Sequence, residues 1–137
     1  MTDDPAAYSD VDLPVLAAIS AGGALGALTR YGISVAFPFH PGGFPWSTFT
    51  INVSGCLLIG VLMVLVTRRF ADVRLLRPFT GVGILGGFTT FSTYALDIRT
   101  TIAAGRPGIA LLYLAGTLVA AVAAVWIGMA ATERVVR

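Results

Sequence analysis

Four long apolar stretches occupy most of this chain and leave it few ways to fold. They run from about Pro14 to Phe37, Trp46 to Thr67, Pro78 to Ile102 and Pro107 to Thr132. Each approaches the roughly 20 residues a helix needs to cross hydrocarbon. Pro14 sits where a helix tolerates proline, in its first turn. Pro38, Pro41, Gly42, Gly43 and Pro45 close the first loop, Arg68 and Arg69 close the second stretch, and Gly105-Arg106-Pro107 separates the last two. The reading is an all-α membrane protein of one domain, with four transmembrane helices over residues 13–133. Residues 1–12, MTDDPAAYSDVD, form an acidic solvated tail without the basic start of a signal peptide.

Composition agrees with a membrane setting. Hydrophobic residues make up 56% and charged residues 12%, far from a soluble average. All nine basic residues are Arg, and seven acids bring the net charge to +2, too weak and too scattered for a nucleic-acid partner. One cysteine, Cys56, lies in an apolar run, so disulfides and cysteine-held metals are not the stabilising device.

The third stretch is unusual for a plain anchor. From Gly81 to Tyr94 it reads GVGILGGFTTFSTY, four glycines followed by five hydroxyl side chains in six residues. Gly81, Gly83, Gly86 and Gly87 loosen the backbone, while Thr89, Thr90, Ser92, Thr93 and Tyr94 offer hydrogen bonds. A broken backbone persists at membrane depth only where protein or a water-lined cavity surrounds it. The third helix is therefore expected to be interrupted and buried against its surroundings.

Small residues mark where helices approach closely in lipid. Gly22 and Gly26 form one G-x-x-x-G, Gly83 and Gly87 another, and Gly116, Ala120, Ala124 and Gly128 repeat every four residues in the last stretch. That seam serves packing within the chain or contact with a second subunit. Four crossings put both termini and the 68–77 loop on one side with six Arg, against Arg99, Arg106 and, near its helix end, Arg30 on the other. The positive-inside rule then favours cytoplasmic termini in the cell inner (plasma) membrane.

Several polar residues are candidates for chemistry. Asn52 lies within the second stretch with Thr48 one turn earlier on the same face. Its amide needs a partner helix, water or an ion. Thr50 and Ser54 are better placed to bond back to their own helix. Tyr113 and Thr117, four apart, continue a line of donors that ends at Ala121. Arg30 is either a snorkelling anchor or an electropositive mouth for anions. His40, in a Pro/Gly loop, reads as an ordinary loop residue.

What is missing narrows the class. No carboxylate lies in the middle of a stretch; Asp97 comes after the polar segment. Small proton-coupled multidrug exporters of this size depend on such a carboxylate. No Ser-His-Asp set, H-E-x-x-H or phosphate loop is present, so an enzyme is not expected. Hydroxyls, the Asn NH2 group and backbone N–H groups suit an anion, as do aromatic edges at Phe88, Phe91 and Tyr94. Carbonyls freed at the same break suit a small cation. A cation exporter of the small multidrug type and a non-transporting membrane subunit remain the alternatives.

At GGALGALTRY (22–31), Thr48-x-x-x-Asn52-x-x-Gly55 and GGFTTFSTY (86–94), the chain resembles the CrcB/Fluc fluoride channels, across all four stretches. The resemblance implies a fluoride-selective channel that exports F⁻ passively, formed by an antiparallel dimer with two pores and a structural Na⁺. It implies carbonyls of Gly86 and Thr89 around that Na⁺, and an aromatic box of Phe91 and residue 94. Asn52, Ser92 and Thr93 would face the pore, Thr48 the vestibule, and Tyr113 with Thr117 would begin a polar track. Two positions depart from the pattern: Tyr94 replaces the usual Phe, and Ala121 replaces a hydroxyl. The Arg bias adds a heterodimer with an oppositely oriented sister subunit as an alternative to a homodimer.

Overall fold

The computed structural model describes residues 12–136, so the acidic tail expected over 1–12 lies outside the described residues apart from Asp12. Among the described residues every regular element is helical. Helix α1 spans Leu13–Ala36, α2 Trp46–Arg68 and α5 Pro107–Val136, and all three are long and apolar enough to cross a membrane. Between α2 and α5 the chain is built differently. Arg77–Leu85 is wound as a π-helix and continues into an α-helical turn, Gly86–Phe88; together these form α3. Thr89 and Thr90 are extended, with ψ of 156° and 126°, and helix α4 begins anew over Phe91–Ala103. Neither piece reaches the roughly 20 residues of a full crossing by itself.

The glycine motifs explain the packing. A Cβ at Gly22 would strike the Phe79 carbonyl oxygen, one at Gly26 the Ile84 carbonyl, and one at Gly87 the Gly23 carbonyl. The two G-x-x-x-G motifs thus face each other, and backbone lies against backbone between α1 and α3. Helix α2 packs on α5 by the same device: Gly60 faces the Val125 carbonyl and Gly128 the Leu57 carbonyl. Gly116 meets nothing among the described residues, and the four-residue seam of α5 is closed by α2 at its Ala124–Gly128 end.

Buried apolar side chains are few, among them Ile51, Val64, Leu85 and Tyr113. Large apolar residues mostly point outward; Val119, Val122 and Trp126 are each about 70% exposed. An apolar exterior around a core of small residues is the arrangement lipid permits and water penalises. At one end of the bundle Asp12 pairs with Arg74, and Arg68 lies 3.6 Å from Glu133.

Candidate functional site at the Thr89–Thr90 break

The break is held by a side chain from α2. Asn52 Nδ2 donates to the Thr90 carbonyl and Asn52 Oδ1 accepts from the Thr90 N–H, both at 2.9 Å. In an unbroken helix that N–H would bond to the Gly86 carbonyl, which therefore loses its helical partner. The next carbonyl, of Gly87, accepts from Arg30 Nε at 3.0 Å. Thr89 closes the end of α3, its N–H and hydroxyl both donating to the Leu85 carbonyl. Thr90 opens α4: its Oγ1 accepts from the Thr93 N–H at 3.2 Å. That bond satisfies one of the orphan amides of a helix start and leaves those of Phe91 and Ser92 without helical partners.

Two cavities flank this backbone. One, of about 250 Å³, is lined by Asn52, Thr90, Phe91, Tyr94, Thr117 and Leu118, with Cys56, Thr89 and Ala121. The other, of about 210 Å³, lies towards α3 and is lined by Gly55, Ile59, Gly81, Gly86 and, again, Cys56 and Thr89. The first has amide and hydroxyl donors between aromatic rings; Phe91 and Tyr94 have centroids 5.8 Å apart. The second holds the Gly86 and Thr89 backbone. A roomier cavity of about 530 Å³ lies in the α1–α2 loop around Phe37, His40 and Trp46, away from the break.

Thr117 carries the clearest sign of an unfilled role. Its hydroxyl is buried and has no hydrogen-bond partner among the described residues. Such a group in a low-dielectric interior is costly unless something pairs with it. Tyr94, by contrast, has spent its hydroxyl: it donates to the Leu114 carbonyl at 2.7 Å, leaving its ring at the cavity wall.

The residues singled out from sequence fall into three places. Asn52, Phe91, Tyr94 and Thr117 meet at the first cavity. Thr48 and Tyr113 are buried together deeper in the bundle, joined to the cavity by the Tyr94–Tyr113 ring contact at 5.1 Å. Ser92 is exposed and Thr93 half-buried; neither lines the cavity. Arg30 lies on the far side of α3, at the Gly87 carbonyl. Sequence reasoning passed over Asp97, which is 5% exposed and lies 3.5 Å from the Tyr113 hydroxyl. Thr48, one turn before Asn52 on α2, is buried as well. The available signal was its helical spacing, since Asp97 follows Tyr94 and Thr93 by three and four residues and shares their face.

An all-helical membrane protein whose neutral donors and bare carbonyls gather at an interrupted backbone belongs to the class that passes small ions without covalent chemistry. The chain belongs to the CrcB family: residues 17–129 match the family model described as CrcB-like protein, Camphor Resistance (CrcB). It is 58% identical over 129 residues to "Fluoride-specific ion channel FluC 2" of Nocardia farcinica, covering 94% of this chain and 92% of that one. Over 124 residues it is 51% identical to "Fluoride-specific ion channel FluC 1" of Streptomyces coelicolor, covering 90% and 80%. Over 119 residues it is 55% identical to "Fluoride-specific ion channel FluC 2" of Thermobifida fusca, covering 87% and 88%.

Proposed function

We propose that the chain is the subunit of a fluoride-selective channel that releases F⁻ passively from the cytoplasm. The observation that carries this reading is the cavity beside the break, lined by Asn52, Phe91, Tyr94 and Thr117, whose buried hydroxyl has no partner among the described residues. Its lining offers donors and ring edges and no carboxylate, which suits a small anion. Likeness to proteins named fluoride-specific ion channels supports the choice of anion. HF crosses bilayers neutral and dissociates inside; the negative-inside potential then drives F⁻ outward through any selective path. No energy-coupling group is required.

In this reading α3 and α4 form one interrupted crossing, and an antiparallel partner covers Phe91, which is 79% exposed in the single chain. Six Arg on one side against two on the other, with Arg30 engaged at the break, favour insertion with cytoplasmic termini in the inner membrane. A bias of this kind, clear without being extreme, is compatible with an oppositely oriented sister subunit as well as with a second copy.

A structural Na⁺ fits the oxygens on the α3 side. The Gly86 carbonyl has lost its helical partner, Thr89 is extended, and hard cations take such oxygens. Gly86 and Thr89 from two subunits would hold it, and the ion would supply positive charge that ties the two breaks together. This chain's own part is to keep those carbonyls free, through Asn52 taking the Thr90 N–H.

One observation favours the cation-exporter alternative: Asp97 is a buried carboxylate. It is turned to Tyr113 and is absent from the cavity lining, so a cation in that cavity would not meet it. Reconstituted protein separates the readings. Fluoride release from vesicles, with no drug resistance conferred on a sensitive strain, supports the channel; drug resistance without fluoride release supports the exporter. Neither outcome together would leave a non-transporting subunit.

A further inference from the structure

The segment joining α2 to α3, residues 69–76, is neither a plain solvent loop nor part of the bundle core. Its backbone is ordered by turns: the Arg69 and Phe70 N–H groups both donate to the Leu65 carbonyl, Val73 to Phe70 and Leu76 to Val73. Yet Phe70 is 45% exposed, Val73 50% and Leu75 37%, so an ordered turn displays three apolar side chains. Cations flank them. Arg68 and Arg74 are each engaged, with Glu133 and Asp12. Arg69 and Arg77 make no ion pair with a described residue and stand at the two ends of the apolar turn.

We infer that this turn is a docking surface for anionic phospholipid, with Phe70, Val73 and Leu75 entering the acyl boundary and Arg69 and Arg77 binding the headgroup phosphate. Apolar side chains between cations match the layering of a leaflet, where hydrocarbon lies just below a negative plane. Guanidinium groups grip phosphate oxygens in paired hydrogen bonds, which suits the two arginines without an ion pair among the described residues better than the two already paired. The position agrees as well. The Asp12–Arg74 and Arg68–Glu133 pairs tie this turn to the ends of α1 and α5, so it sits where the bundle meets the headgroups.

The test is competitive lipid binding to the full chain in mixed micelles, with phosphatidylglycerol and phosphatidylcholine of equal chain length. The inference predicts a preference for phosphatidylglycerol of at least thirtyfold. Each of Arg69→Gln and Arg77→Gln should weaken it about fivefold, and the double variant about thirtyfold. Arg69→Lys, which keeps the charge but not the paired geometry, should lose less than Arg69→Gln, and Arg106→Gln, at the other end of the bundle, should leave the preference intact. Equal binding of the two lipids overturns the inference, as does an Arg106→Gln effect equal to that of Arg69→Gln. Saturation by inorganic phosphate with no gain from acyl chains overturns the assignment to lipid. This outcome is independent of fluoride release, so a silent channel would not decide it.

Discussion

The side-chain amide of Asn52 is paired twice with the backbone of Thr90, donating to its carbonyl and accepting from its N–H at 2.9 Å each. A primary amide presents a donor and an acceptor side by side, which matches the N–H and C=O of one extended residue. One residue of α2 thereby supplies what the broken helix cannot. A second Nδ2 hydrogen remains at the cavity wall.

Replacing Asn52 by Ala should leave both Thr90 groups unmet and cost about 2–5 kcal/mol. Thermal melting of the purified protein in detergent checks this, and an unchanged melting temperature would refute the clamp. Asn52→Asp keeps the acceptor for the Thr90 N–H but loses the donor and places negative charge on the anion path. It should melt closer to the parent than Asn52→Ala while releasing fluoride at least tenfold more slowly.

Gly26 and Gly116 should respond in opposite directions to the same change. Ala at 26 would press on the Ile84 carbonyl, and overpacking of this kind costs about 1–3 kcal/mol. Ala at 116 meets nothing among the described residues and improves helix propensity by up to about 1 kcal/mol. Melting curves of the two variants give the sign directly. Destabilisation at 116 would instead reveal a neighbour from another subunit.

Thr117→Val removes a buried hydroxyl that nothing among the described residues satisfies. Stability should be unchanged or raised by up to about 1 kcal/mol, because a desolvated orphan is lost. Fluoride release should nonetheless fall several-fold if the hydroxyl pairs with the passing anion. A loss of both stability and flux would assign Thr117 to packing.

The aromatic wall makes a paired prediction. Tyr94→Phe forfeits the bond to the Leu114 carbonyl, about 1 kcal/mol, but keeps the ring in place, so flux should stay within twofold. Phe91→Ile removes the ring edge and should reduce flux several-fold. Anion-flux assays on the two variants check this; equal effects would argue against ring edges as ligands.

Much of this was legible in the sequence, and for physical reasons. Hydrophobic length alone reads out α1, α2 and α5 as helices able to cross a membrane, because lipid leaves a long apolar stretch so few options. The glycines of α1 and α3 announced close backbone approach, although only coordinates reveal that the two motifs face one another. Local pattern does not encode long-range partners. Thr90 is 38 residues from Asn52, and Arg30 is 57 from Gly87; in sequence each had several possible partners. Asp97 lies after the polar segment in sequence, and its place is visible only where α5 brings Tyr113 against it. The π winding of Arg77–Leu85 has no marker in composition that we can identify.

The most direct measurement is fluoride-electrode recording of efflux from liposomes containing the purified chain, with chloride as the comparison anion. The account predicts fluoride release well above that of protein-free vesicles, at least tenfold faster than chloride release, and reduced by Phe91→Ile. Release of both anions at equal rates would contradict it, and so would a folded, dimeric protein that passes no fluoride.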